Sequence, residues 1–109
     1  MFPFLHNDSA VTSALESTFA AHFGDKYNED IPRLPGSEDF GILATSIEKP
    51  SCFFLYGGLP ANEYDQAEKE GSLEKLPVNH SPFFLPDMSV SLRTGLDAYV
   101  VAALTFLSK

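Results

Sequence analysis

The sequence is poor in cysteine, in basic residues and in long apolar runs, and each shortage excludes a class of protein. Its 109 residues include one cysteine, Cys52, so an internal disulfide framework is excluded and we expect a cytoplasmic protein. Seven basic against fifteen acidic residues give a net charge of −8, which disfavours nucleic acid and anionic membrane surfaces as partners. The longest strongly apolar stretch, 96–107, is too short to span a bilayer.

Several motifs of metal, redox and nucleophile chemistry are also missing. The sequence contains no Cys-x-x-Cys, His-Glu-x-x-His or Gly-x-Ser-x-Gly motif and no phosphate-binding glycine loop. A catalytic zinc ion needs about three protein ligands and an open position. We therefore assign no catalytic residue to this chain from its sequence.

Apolar periodicity predicts three main helices. Apolar residues recur every four positions over Ser9–Phe23, with Asp8 or Ser9 as the N-cap and Gly24 as the terminating residue. We predict a shorter helix from Ser37 to near residue 47. The last helix is predicted over 89–107, and a small charged helix, capped by Asn62, is predicted to end at Gly71.

One segment, 52–56, has the pattern of a strand that is covered on both faces, which is typical of an α/β sheet. A single strand is not a sheet, because a stable sheet needs neighbouring strands. The weaker strand candidates are 2–5, 31–34 and 83–85. Either these segments are strands that pair with 52–56, or the 109 residues form one incomplete domain in which 52–56 lacks its neighbouring strands.

His80 is the first candidate for site chemistry. Histidine binds metals and transfers protons near neutral pH, and Pro82 restricts Ser81 to extended geometry, so the ring would leave a stiff loop. The alternative is a loop histidine that is hydrogen-bonded to its neighbours.

Gly36, Ser37 and Glu38 form the second candidate. A glycine before a capped helix start leaves backbone N–H groups that suit an anion such as a substrate carboxylate. The alternative is an ordinary helix start with acids that favour its dipole. His6, His22 and Cys52 have no supporting neighbours, and we interpret all three as structural.

Two stretches in this order resemble the C-terminal end of the M20 metallopeptidase family, in its aminoacylase and hippurate-hydrolase branch. The first is Gly36-Ser37-Glu38-Asp39-Phe40, and the second is Asn79-His80-Ser81-Pro82-Phe83-Phe84. A helix with the pattern Leu92-x-x-Gly95-Leu96-x-Ala98 follows them. The resemblance also covers Asn7-Asp8 and the run into Gly57-Gly58, and so extends over most of the chain.

The resemblance implies an α/β fold, namely the C-terminal part of an α/β/α zinc-peptidase-like catalytic domain with a mixed central sheet. It implies two divalent metal ions, often zinc, in the intact enzyme, and it makes His80 the last metal ligand. It places Gly36, Ser37 and Glu38 beside the pocket for a small N-acyl amino acid or peptide-like substrate. The family's metal-bridging carboxylate and Glu-Glu general base match nothing in this chain, so we expect it to bind no metal on its own.

Two hypotheses follow. The first is a fragment of a metal-dependent amidohydrolase that associates with its missing N-terminal part or with itself, because its sheet edges and apolar faces lack cover. The second is a catalytically inactive truncated paralogue that acts as an acidic interaction module. The second predicts a compact monomer whose partner binding does not depend on His80.

Overall fold

The structure, a computed structural model, describes residues 4–34, 36 and 38–108, and in this part of the chain it contains helices but no strands. Two one-turn 3₁₀ helices, Gly24–Lys26 and Leu73–Lys75, follow the first and third helices. No helix in the described ranges is long and apolar enough to cross a membrane. The four α-helices are α1 (Ser9–Phe23), α2 (Phe40–Thr45), α3 (Ala61–Glu70) and α4 (Ser91–Leu107).

The chain divides into two compact units, each of which is described by itself. The first unit comprises the residues up to Leu55 together with those from Ala98 onward, and the second comprises Tyr56–Asp97. The first unit therefore contains α1, α2 and the 98–107 part of α4. The second contains α3 and the beginning of α4.

Helix α1 has the bounds that the sequence predicts. The Asp8 carboxylate accepts the N–H of Val11 at 2.9 Å, which satisfies one of the free donors at the helix start. At the other end Gly24 has a φ of 58° and its N–H bonds to the Ala20 carbonyl. The capping and terminating residues were both predicted correctly, because each acts on backbone groups within one helical turn.

The other helix boundaries were predicted less well. Helix α3 ends at Gly71 as predicted, in a left-handed conformation, but Pro60 rather than Asn62 is its N-cap. Helix α4 starts at Ser91, two residues later than predicted. Helix α2 covers only Phe40–Thr45, and the predicted cap, Ser37, lies outside the described residues.

The predicted fold class was wrong: the described residues form no sheet, so the chain is not α/β with a mixed central sheet. Residues 52–56 have no strand assignment, and neither do 31–34, 83–85 or the described positions 4 and 5. A strand is defined by its pairing with another, and no described segment provides a second strand to pair with. Apolar composition therefore did not predict a ladder, and Leu55 and Tyr56 are about half exposed.

The core of the first unit is small and lies between α1 and the 98–107 part of α4. Leu15, Phe19 and Ala98 are its buried residues. The Phe54 ring packs edge-on against Phe19, with ring centroids 5.1 Å apart. Partly buried side chains surround this centre, namely Val11, Phe23, Tyr27, Cys52, Phe54, Val101 and Ala102. Cys52 and Phe54 thus supply apolar side chains to a helical core.

In the second unit, two aromatic rings lie close to the backbone at two glycines, Gly95 and Gly58. A Cβ atom on Gly95, within α4, would lie 2.9 Å from Cζ of Tyr56. A Cβ atom on Gly58 would lie 2.6 Å from Cζ of Phe84. Both distances are shorter than ordinary van der Waals contact, so any larger residue would displace a ring. Gly58 and Gly95 are therefore packing residues.

We expect Gly95→Ala to be coupled to Tyr56 in its effect on stability. Alanine is more favourable than glycine inside a helix by about 1 kcal/mol, but here its methyl group collides with the Tyr56 ring. In a Tyr56→Ala background the collision is absent, and Gly95→Ala should raise the free energy of unfolding by about 1 kcal/mol. Urea denaturation of the four proteins of this double-mutant cycle measures the coupling. An equal effect of Gly95→Ala in both backgrounds would contradict the close approach.

Asp87, just before α4, should titrate below its ordinary range. The Ser89 hydroxyl and the Ser89 N–H both donate to Oδ1 of Asp87, at 2.7 and 2.9 Å, and lower the pKa of this carboxyl. Because the pKa is lower in the folded state, this contribution to stability is present near neutral pH and is lost as pH falls through the lowered pKa. NMR titration should show a rise in the Asp87 pKa in Ser89→Ala, which removes the strongest of these bonds. An unchanged pKa in that variant would refute the assignment.

Candidate functional site

His80 stands at the third position of a tight turn in the second unit. The Ser81 N–H donates to the Val78 carbonyl at 3.0 Å, which closes a turn over residues 78–81. His80 has a φ of 71°, whereas Asn79 is not among the residues with positive φ. A positive φ at the third position alone is the geometry of a type II turn, in which glycine is the usual residue. The backbone therefore holds a histidine where glycine would be less strained.

A second turn follows directly and stiffens the first. The Phe84 N–H donates to the Ser81 carbonyl at 3.1 Å, and the Phe83 N–H donates to the Ser81 hydroxyl at 3.2 Å. Pro82 lies inside this second turn, where its ring fixes φ. Two fused turns thus carry His80.

The His80 side chain is exposed, and in the described part of the chain it has no hydrogen-bond or ion-pair partner. The alternative that the sequence left open, a histidine bonded to its neighbours, is therefore not what the structure contains. Across residues 4–34, 36 and 38–108, no group of three or more His, Cys, Asp or Glu side chains is placed to hold a metal ion. These residues do not form a complete metal site around His80.

The second candidate lies in the first unit, next to α2. Gly36 is exposed, Glu38 is half-buried, and Ser37 lies outside the described residues. Oε1 of Glu38 accepts the Phe40 N–H at 3.0 Å, so the carboxylate already occupies a donor at the helix start. An incoming substrate carboxylate would have to displace Glu38 from this N–H. The substrate-binding role of Gly36, Ser37 and Glu38 stays a prediction.

The run His6-Asn7-Asp8 has the His-x-Asp spacing of some metal sites. The structure gives two of these residues structural contacts. Asp8 caps α1, and the Asn7 side chain binds the backbone of Phe53 through both its amide nitrogen and its amide oxygen. Asn7 bridges 46 positions along the chain, so no local sequence signal reveals this contact.

Two further residues have surroundings that agree with the structural interpretation. The Thr12 hydroxyl donates to Sγ of Cys52 at 3.5 Å, and Cys52 packs against the core of the first unit. The His22 ring packs edge-on against Phe23, with centroids 4.7 Å apart. Neither residue contributes to a group that could bind a metal within the described ranges.

No protein-family model matches the chain, and no solved structure matches it significantly. The M20 family membership therefore stays a prediction that is carried by the quoted motifs.

Replacing His80 should reveal the strain at this turn. A residue with a side chain in the left-handed region pays about 1–2 kcal/mol, which glycine avoids, although glycine also gains freedom in the unfolded chain. We expect His80→Gly to be more stable than His80→Ala by about 1 kcal/mol, because alanine keeps the strain and glycine releases it. Urea denaturation of both variants beside the unchanged protein tests this. Equal stabilities would mean that φ at position 80 is not positive in solution.

Proposed function

We propose that this chain contributes His80 as one metal ligand to a metal-dependent amidohydrolase of the M20 type. In this proposal, the enzyme hydrolyses an N-acyl amino acid or a related amide. The general base and the remaining metal ligands come from polypeptide outside these 109 residues. This chain supplies one imidazole, that of His80.

The single observation that carries the proposal is that the His80 ring is exposed on a turn with a strained backbone. The ring is exposed and lacks a described partner, and it is mounted on two fused turns at a φ of 71° that would suit glycine better. A metal ligand must be held in place before the metal arrives, and backbone strain persists where the surrounding structure over-determines a residue.

The chemistry of His80 in this role is limited to binding and orientation. One neutral imidazole nitrogen of His80 would hold the metal, and an acceptor from outside the described residues would orient the second nitrogen. Bound divalent metals supply the activated water and polarise the amide carbonyl in such enzymes. No described residue of this chain is placed to act as the general base, so we assign it no proton-transfer step.

The competing function, an acidic interaction module, expects a compact monomer with a well-covered core. In the described part of the first unit only Leu15, Phe19 and Ala98 form the buried centre. On α4, Tyr99 is 63% exposed and Leu107 is 78% exposed. Exposed apolar side chains of this kind support a chain that is completed by further polypeptide.

The test supplies the missing part. The preceding segment of a hippurate-hydrolase-type enzyme, which carries its other metal ligands and its Glu-Glu motif, is fused to this chain and loaded with zinc. We expect the fusion to hydrolyse hippurate. We expect His80→Ala to lower kcat/KM by about a hundredfold or more and to weaken zinc binding, because an imidazole ligand is lost.

The matched control is His6→Ala, which removes another exposed histidine, in the first unit, without touching the turn. It should retain both hydrolysis and zinc affinity. Equal losses in the two variants, or full activity in His80→Ala, would refute the role of His80. Calorimetric titration measures zinc binding independently of turnover, and far-UV circular dichroism of both variants shows whether the fold is retained.

A further inference from the structure

The segment that follows the two fused turns is held at one backbone position, Gly58. A Cβ atom on Gly58 would lie 2.6 Å from Cζ of Phe84 and 3.4 and 3.6 Å from the two Cε atoms, so the tip of the ring rests on the Gly58 backbone. Three residues further along, the Asp87 N–H donates to the Gly58 carbonyl at 2.8 Å. We call the contact of the Phe84 ring with Gly58 the Gly58 anchor.

The space for the ring is what requires glycine at position 58. Gly58 is not among the residues with positive φ, so its backbone could carry a side chain without left-handed strain. A side chain there would meet Phe84 at a separation that Cβ atoms in proteins essentially never show. The neighbouring Gly57 differs, because a Cβ atom on it would have no atom within 4 Å beyond its own chain neighbours. The two adjacent glycines therefore form a matched pair, with only one in contact.

Two hydrogen bonds lead from the Gly58 anchor to His80. The Phe84 N–H donates to the Ser81 carbonyl at 3.1 Å, and the Ser81 N–H donates to the Val78 carbonyl at 3.0 Å. Ser81 thus belongs to both fused turns, and it directly follows His80. A displacement of Phe84 would move Ser81 and with it the turn in which His80 has a φ of 71°.

The position of His80 depends on these backbone contacts because its side chain supplies none. In the described part of the chain, the exposed ring has no hydrogen-bond or ion-pair partner. A left-handed backbone at a residue other than glycine persists only where the surrounding structure over-determines it. Within the second unit, the turn hydrogen bonds and the Gly58 anchor are the contacts that can do so.

We propose that Gly58 and Phe84 are positioning residues for His80 in its role as a metal ligand. The ring of Phe84, held on the Gly58 backbone, fixes Ser81 and through it the backbone of His80. Both residues act through this backbone and bind no metal themselves. The inference rests on the proposed function, because it takes His80 to be a metal ligand. Residues that hold a metal ligand in place commonly change metal affinity by about ten- to a hundredfold when they are replaced.

The first test uses this chain by itself and needs no metal. Gly58→Ala should weaken the NOE between the N–H and Hα protons of His80, which is strong when φ is positive because the two protons then lie close together. It should also speed the exchange of the Phe84 N–H by about tenfold, since the bond to Ser81 is loosened. Gly57→Ala is the matched control and should change neither signal.

The second test measures zinc binding in the fusion of this chain with the preceding segment of a hippurate-hydrolase-type enzyme. Gly58→Ala should raise the dissociation constant for zinc by about tenfold or more. Gly95→Ala controls for a loss of stability, because its methyl group also meets a ring of the second unit, but its nearest contacts are with Tyr56 and not with the turns. It should leave zinc affinity unchanged. An equal loss in Gly95→Ala would assign the effect to stability and overturn the proposal.

A rescue experiment isolates the contact with Phe84 from other effects at position 58. Leucine at position 84 lacks the Cζ and Cε atoms that approach Gly58. In a Phe84→Leu background, Gly58→Ala should therefore change zinc affinity by less than about twofold. The same loss in both backgrounds would contradict the role of the ring.

Three further results separate this proposal from the proposed function. An unchanged His80 NOE and unchanged Phe84 exchange in Gly58→Ala would show that the Gly58 anchor does not set the turn. A change in both signals with unchanged zinc affinity, while His80→Ala still weakens zinc binding, would overturn the positioning role and leave the proposed function standing. Unchanged zinc affinity in His80→Ala would refute the proposed function, and the positioning role with it.

Discussion

The first unit depends on a pair of hydrogen bonds between the side-chain amide of Asn7 and the backbone of Phe53, which we call the Asn7 clamp. A primary amide carries a donor and an acceptor side by side, so one residue satisfies both the N–H and the C=O of another. Together with the bond from the Asp8 N–H to Ser51, it fixes residues 51–53 against the start of α1. The fixed segment then presents Phe54 to α1 and α4 and Phe53 to α2. A side chain here takes the place of a neighbouring strand.

The same clamp explains how a segment with the composition of a buried strand lies among helices. Its aromatic rings gain apolar contact with α1, α4 and α2, and one backbone edge is satisfied by Asn7 and Asp8. What is missing is a second strand, so the described residues form no ladder. The composition of 52–56 indicated the side-chain environment only in part, because Cys52 and Phe54 pack against the core whereas Leu55 and Tyr56 are 45% and 47% exposed. It could not indicate the pairing, because a hydrogen-bonded partner is a property of two segments.

In the second unit, the fused turns over 78–84 fix the backbone at His80, as the Asn7 hydrogen bonds fix residues 51–53 in the first unit. Three backbone N–H groups and the Ser81 side chain close these turns, and Pro82 removes the remaining freedom in φ. Close packing at the two glycines, Gly58 against Phe84 and Gly95 against Tyr56, adds contacts within the same unit. These glycines belong to the segments on which the family resemblance rests, and the structure gives each a packing reason. The proposed metal ligand is therefore carried by local geometry that this unit builds by itself.

The sequence predicts the features that act within one helical turn. These are the bounds of α1 with its Asp8 cap and the glycine end of α3, because neighbouring residues set each of them. It also indicated His80, Gly36, Ser37 and Glu38 as candidates, but not their partners. Tertiary contacts decided the pairing of Asn7 with Phe53 and the absence of a sheet in the described residues. The bond from the Phe40 N–H to Glu38 and the positive φ of His80 are local features that the sequence pattern did not predict. The long-range contacts join positions far apart in the chain, and a pattern of apolar and polar residues does not encode which distant backbone groups will meet.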